Sequence, residues 1–439
     1  MPQLGSITKQ YVSSIDFLDQ REILNKILDI TNEEYSFMDI MELTGRSKPT
    51  SVPEYHHFVN EEMYVLGTVS AVTGSASTQV TATIDATAYA NVNVGELVLF
   101  PDGKVGYVVS KAATTNIVVK SIDATNLTLV ATNKISFFSN ANGEGSLSPA
   151  AKRYGITKYS NQVQIFKSKF EVTDVQKASK VEVDFQGKPY YMYKGQHDAL
   201  LKFRDDIAAA MMFGRKSAAN FSSASPGLVD AESKPVQTTM GLDQYITTLG
   251  SDISLLTAGT LALADIKALI QLLNRNRSPK EYFLFVGTAQ NILWDDVFNN
   301  LGNAGITAGA GISGAARFQI EGRDIELGID KIKIYGTTFY KKHLPILDHK
   351  NIINFTGGYN AKDAAYGVPY TKVKTVDGGQ EDRMQVRYML EGNTDFKYRE
   401  IVLGGLAPTP TNERSVLELH YSSIQGLEML DAQNAFKLK

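Results

Sequence analysis

Between Tyr159 and Gly214 the hydrophobic period of the chain switches, and that switch sets the fold class. In Y-S-N-Q-V-Q-I-F-K-S-K-F-E-V-T-D, polar or charged residues separate Val163, Ile165, Phe170 and Val172, the pattern of strands with one buried face. In G-Q-H-D-A-L-L-K-F-R-D-D-I-A-A-A-M-M-F-G, Leu200, Phe203, Ile207 and Met211 fall three to four residues apart and form one stripe of a helix of about five turns. Lys202, Arg204, Asp205 and Asp206 lie mostly off the stripe, and Gly214 is a natural stop. An α+β protein is expected. Asp205 and Asp206 are adjacent on a helix and point about 100° apart, so they do not converge on one atom as an acid/base pair must.

Composition narrows the function. Of 439 residues none is cysteine, which excludes disulfides, thiolate metal sites and cysteine nucleophiles. A net charge of −3 argues against a dedicated nucleic-acid binder with a basic face. The opening M-P-Q-L-G-S-I-T-K-Q-Y has the form of no signal peptide, and no apolar run approaches the ~18 residues of a membrane helix.

Taken in order, residues 1–55 predict an arm with a helix in it. Phe17, Ile23, Leu24, Ile27 and Leu28 make its apolar stripe; S-F-M-D-I-M-E-L-T-G-R adds a short apolar patch, and Pro49 and Pro53 break regular structure. His56 and His57 sit on a strand pattern and face opposite ways, which does not make a metal site. Residues 68–140 carry short β-branched strands punctuated by Gly, Asn, Asp and Pro, the pattern of a small barrel or sandwich inserted as one structural unit. Further on, Leu263, Ile266, Ile270 and Leu273 share a helix face, E-Y-F-L-F-V-G reads as a strand, and a helix runs from Thr288 to Gly302. Helix, strand and helix in that order predict a compact α/β domain.

Gly309, Gly311 and Gly314 spell G-x-G-x-x-G, but a helix precedes them and a strand pattern follows, the reverse of a dinucleotide site; a loop is expected. His343, Asp348 and His349 lack the spacing of a metal set. A hairpin turns at Gly392-Asn393, and residues 413–439 predict a tail with no assigned element.

The succession N-Q-V-Q-I-F-K, a strand ending in V-T-D, the helix K-F-R-D-D-I-A-A-A-M-M-F-G and then P-G-L-V-D-A resembles the central signature of major capsid proteins of tailed bacteriophages. It is most similar to the shell proteins of crAss-like and related short-tailed phages, in pattern and segment order over about residues 55–410. The resemblance implies an α+β, Hong Kong 97-like capsid fold. Its parts are an N-terminal arm (1–55), an extended-loop region (56–158) with an inserted β module at about 68–140, a peripheral domain with the spine helix (159–240), an α/β axial domain (241–375), strands returning to the peripheral domain (376–410) and a C-terminal tail (411–439). It implies a structural, non-enzymatic protein without cofactor or metal that assembles as hexamers and pentamers into an icosahedral head around double-stranded DNA. The arm would reach a neighbouring subunit. Decoration, portal and scaffolding proteins would be further partners, the DNA would be enclosed without sequence-specific contact, and no membrane would be involved. The protein would reside in the virion after assembly in the bacterial cytoplasm.

Arg46, Arg204, Asp205 and Asp206 are the candidates for intersubunit pairing. Exposed pairs contribute only ~0–1 kcal/mol each, so shape and buried apolar area should dominate. Two other readings stay open. One is a different β-rich phage structural or binding component that uses the 68–140 module for recognition. The other is an enzyme, for which the chain offers no nucleophile with a base, no converging carboxylates and no phosphate cradle in its proper setting.

Overall fold

The computed structural model describes residues 36–60, 65–112, 114–151, 156–173, 184–185, 188–218, 221, 228–253, 260–275, 278–307, 330–348, 363–375, 377–404 and 416–439. The stripe around Phe17–Leu28 and the glycines 309–314 therefore lie outside the described residues. The chain divides into two compact units, one made of the segments up to Tyr55 and from Ser160 onward, the other of His56–Tyr159.

Helix α1 (Phe37–Leu43) is the short apolar patch of the sequence. Ser36 and Asp39 form a reciprocal cap, with Asp39 Oδ2 accepting from Ser36 N at 2.8 Å and Ser36 Oγ from Asp39 N at 3.3 Å. Phe37, Met38, Ile40 and Met41 are all buried, and Gly45 ends the helix at φ 67°. Strand β1 (Ser47–Thr50) follows, and β2 (Glu54–Asn60) pairs with β9 (Ile156–Gln162).

Between those two, β3 (Val65–Thr73), β4 (Gln79–Ile84), β5 (Glu96–Leu99), β6 (Val105–Lys111), β7 (Asn116–Ser121) and β8 (Lys134–Asn140) close a barrel in the order β3-β4-β7-β6-β5-β8, with α2 (Ala86–Asn91) after β4. Val69, Val80, Ile84, Val98, Val108, Val119 and Phe137 fill its interior. A side chain on Gly106 would meet Val119 at 2.3 Å and Phe100 at 2.9 Å, so the barrel is packed through to its axis and only glycine fits there. Register shifts at Val69/Ala71, Leu97/Val98 and Val108/Ser110 supply the corners.

In the other unit, β10 (Gln164–Thr173) leads to the small hairpin β11 (Asp184–Phe185) and β12 (Lys188–Pro189), then to α3 (Tyr190–Phe213), the predicted spine helix. Phe203, Ile207, Ala208, Met211 and Met212 are buried, as the stripe requires, while Lys202, Arg204, Asp205 and Asp206 are exposed. A side chain on Gly214 would strike the Thr239 carbonyl at 2.8 Å, so the helix stops where the returning backbone crosses it. The N-Q-V-Q run has a physical reason: its amides clamp that backbone. Asn161 exchanges hydrogen bonds with Met240 (2.9 and 3.1 Å), Gln162 donates to Thr238 O (2.9 Å), and Gln164 accepts from Thr239 N (3.2 Å).

The remaining elements are α4 (Leu242–Leu249), β13 (Ser251–Ile253), α5 (Leu263–Arg275), β14 (Glu281–Val286), α6 (Thr288–Thr307), β15 (Asp330–Ile334), β16 (Thr337–His343), β17 (Ala365–Pro369), β18 (Lys372–Lys374), β19 (Gln380–Asp382), β20 (Met384–Glu391), β21 (Thr394–Asp395), β22 (Arg399–Gly404), β23 (Val416–Met429) and β24 (Phe436–Leu438). One sheet runs β13-β24-β17-β14-β16-β15. Its centre, β14, is apolar on both faces because both are covered: Tyr282, Leu284 and Val286 pack in one core with Leu269 and Trp294, Phe283 and Phe285 in another with α1, α3 and α4. The second sheet runs β1-β20-β23-β10, with β22 beside β23 and β21 beside β20.

The expectation of a C-terminal tail is overturned. Strand β23, the longest among the described residues, pairs with β10 over ten residues from Gln164↔Gln425 to Thr173↔Val416, and β24 enters the other sheet beside β17. Buried Ser423 and Gln425 hide the strand in the sequence. Gln425 donates to Lys397 O at 2.7 Å and to Ser423 Oγ at 2.8 Å, so polar residues stand where an apolar alternation would be sought.

Candidate assembly surface

Arg46 leaves the surface set. It is 4% exposed, donates from Nη2 to the Tyr370 carbonyl at 2.6 Å, and lies 4.7 Å from the Tyr370 ring and 5.3 Å from that of Phe283. Burial lowers its pKa. A guanidinium between two rings is an internal strut of the fold. The sequence placed it after a Gly turn next to prolines, where an exposed arm charge is the usual reading, and gave no sign of Tyr370.

The other three candidates stay together on the solvent side of α3. Lys202 pairs with Asp206 one turn along, Asp205 is exposed beside it, and Arg204 lies 6.0 Å from the Tyr398 ring. Their common placement is a consequence of the buried stripe: with Phe203, Ile207 and Met211 turned inward, positions 202 and 204–206 face out.

A second charged group was not legible from the sequence. On the face of the sheet turned away from α3, Lys169 Nζ lies 2.7 Å from Glu171 and 3.0 Å from Glu418, and Glu418 lies 3.0 Å from His420 Nε2. Hydrogen bonds from Lys169 and His420 hold the Glu418 carboxyl below its ordinary range, and those to Glu171 and Glu418 raise Lys169. Exposed Ile401 is paired with His420, so an apolar residue borders the cluster. Only the β10–β23 register brings these positions together; within β10 alone, the alternation of Lys167, Lys169 and Glu171 marks no more than an outward face.

Two further histidines, His57 and His343, make local contacts. His57 packs against Tyr159 with ring centroids 5.6 Å apart. Asp348 caps the start of α6, accepting from Thr288 N at 3.0 Å and from Thr288 Oγ1 at 2.6 Å, with His343 Nε2 2.5 Å from the same carboxylate. The Thr288 hydroxyl donates a hydrogen bond to the carboxylate that also accepts the Thr288 amide, with His343 Nε2 3.2 Å from the hydroxyl oxygen, so the trio forms a helix cap. His349 lies outside the described residues. Among the described residues no group of three or more His, Asp or Glu is placed to hold a metal, and no helix is long and apolar enough to cross a membrane.

The described residues thus form long one-faced elements and a packed β module, with charges laid on outer faces. The family follows from the sequence. A model of the SU10 major capsid protein family matches residues 6–320, most of the chain, and the chain belongs to that family. It is therefore a structural protein of a tailed-phage virion shell, built into a multimeric capsid with other subunits. Spine helix, inserted β module and α/β sheet follow the order expected of a Hong Kong 97-like α+β capsid fold.

Solved structures similar to it include the capsid of cyanophage P-SCSP1u, 10% identical, covering 97% of this chain and 93% of that one at a TM-score of 0.42. Gordonia phage Cozz is likewise 10% identical, with 97% and 92% covered at 0.43, and the capsid of a native GTA particle is 8% identical, with 98% and 99% covered at 0.40. The family match, not these distant likenesses, carries the assignment. No curated protein matches the chain.

Proposed function

We propose that the chain closes into hexamers and pentamers that tile an icosahedral head around double-stranded phage DNA. The observation that supports this most is the family match over residues 6–320. Copies of one chain repeat the same heterologous contacts, and the rotation between neighbours decides whether a ring closes. Modest individual interfaces become strong because each subunit is held at several places at once.

In this reading Arg204, Asp205 and Asp206 on α3 meet oppositely charged groups of a neighbour. The N-terminal arm expected over residues 1–55 contacts an adjoining subunit, the sheet carrying β10 and β23 with α3 forms the peripheral domain, and the sheet centred on β14 forms the axial domain. The net charge of −3 suits enclosure of DNA without sequence-specific contact. Assembly takes place in the bacterial cytoplasm, with scaffolding, portal and decoration proteins as further partners, and no reaction is catalysed.

Light scattering on the full chain separated by size tests this. Species at five and six times 48.2 kDa, or whole particles, support it. A trimer, or a ring of another fixed number, overturns it and favours a different β-rich phage component.

A further inference from the structure

The chain holds a single Asn-Gly pair, Asn142-Gly143, and two Asp-Gly pairs, Asp102-Gly103 and Asp377-Gly378. In each, the glycine amide can attack the side-chain carbonyl before it, because glycine offers no side chain to hinder the approach and leaves the backbone free to bend. The fold treats the three differently. Gly103 N donates to Phe100 O at 3.0 Å and Gly378 N to Thr375 O at 3.0 Å, and both glycines sit in turns at φ 81° and 83°. Their amides are occupied. Asn142 and Gly143 lie in an exposed stretch that follows β8. Gly143 enters its own turn through its carbonyl, which accepts from Ser146 N at 3.1 Å and from Ser146 Oγ at 2.7 Å. Among the described residues no hydrogen bond engages its N–H, and none holds the Asn142 carboxamide. A side chain placed on Gly95 would lie 3.2 Å from Asn142 Oδ1, so glycine at that position leaves the carboxamide room to turn.

We propose that Asn142-Gly143 is a site of spontaneous deamidation in the folded chain. The Gly143 nitrogen, its proton taken by base, attacks Asn142 Cγ. The bond from Cγ to the carboxamide nitrogen then breaks, and that nitrogen leaves as ammonia. Water opens the resulting five-membered imide at either carbonyl, giving aspartate or isoaspartate. Nothing is oxidised or reduced, and water is the only reactant consumed. Either product adds one negative charge per copy to a chain whose net charge is −3. Isoaspartate also reroutes the main chain through the former side chain. It does so directly after Ala141, whose N–H donates to Gly95 O at 2.9 Å and extends the β5–β8 pairing by one bond. The step is one-way, so the charge at this end of the barrel grows with the age of the protein.

The open space at Gly143 supplies the test. A side chain there would meet nothing within 4 Å, and its φ lies outside the left-handed region, so Gly143→Ala keeps the fold while hindering the attack. The full natural chain and Gly143→Ala are incubated at pH 8, folded and in denaturant, then digested under mildly acidic conditions. Peptide mass mapping reads the change from amide to acid, and a protein isoaspartyl methyltransferase reads isoaspartate. Asn142 of the folded natural chain is expected to deamidate within about threefold of its rate in denaturant, as an exposed loop should. Gly143→Ala is expected to react about tenfold more slowly or less, with an unchanged melting midpoint. Asp102 and Asp377 should form isoaspartate in denaturant only. An Asn142 that stays an amide in the folded chain, whether or not it reacts in denaturant, would overturn the proposal. So would Gly143→Ala reacting as fast as the natural chain. Neither result bears on shell assembly.

Discussion

At the scale of single residues, two arginines of the same formal charge do opposite things. Arg46 is enclosed and hydrogen-bonded within its own chain, whereas Arg204 stands on the open side of α3. Losing a buried charged donor costs about 2 kcal/mol, so Arg46→Ala is expected to lower the thermal midpoint of the unassembled chain clearly. Arg204→Ala should change stability by less than about 0.5 kcal/mol and instead reduce assembly; parallel melting and light-scattering measurements on both variants separate the roles. Gly367 is a sharper case. A side chain there would lie 2.1 Å from the Phe436 ring, and overpacking of this kind costs roughly 1–3 kcal/mol. Gly367→Ala is expected to be destabilised by that amount in a denaturant titration, with part recovered in the double variant Gly367→Ala/Phe436→Leu.

At the scale of elements, the Lys169–Glu171–Glu418–His420 cluster makes the β10–β23 pair sensitive to acid. The folded chain holds the Glu418 pKa below its ordinary value of 4.5. Its contribution is therefore full above that value and is lost as pH falls through the lower folded one. Melting midpoints from pH 6 to 3 should fall less steeply for Glu418→Gln than for the natural chain; equal slopes would contradict the linkage. The same strand pair shows where the sequence was legible. Spine helix α3 could be read from Leu200, Phe203, Ile207 and Met211 because a 3.6-residue stripe is local information. The barrel could be read from its β-branched runs and turn residues, and β14 from its unbroken apolar run. Strand β23 could not, because buried Ser423 and Gln425 interrupt its apolar pattern, and the Lys397 carbonyl to which Gln425 Nε2 donates is supplied only by the folded chain. Arg46 was misplaced for the same reason: Tyr370 lies 324 residues away. The outward placement of charges 204–206 is legible because a helix fixes its own outward face.

At the scale of the whole molecule, the β14 and β23 sheets share α3 and α4 through one continuous core, and the other face of β14 packs a second core around Tyr282. Burial pushes Tyr282 up to about 12. The fold favours its neutral form, so the stability it contributes is present below the ordinary phenol value of 10.0 and drains away as pH rises toward 12. Phenolate absorbance of the folded chain at pH 11 is expected to fall short of that of the denatured chain, and the midpoint to drop from pH 10 upward. The chain belongs to a family of virion shell proteins, and on the proposed function it builds that shell by repetition. Negative-stain electron microscopy of the full chain at moderate salt, at low and at high protein concentration, is the first measurement to make. Closed shells, tubes or rings of six and five are expected. A discrete trimer, or a closed ring of any other fixed number under both conditions, would contradict the proposed function.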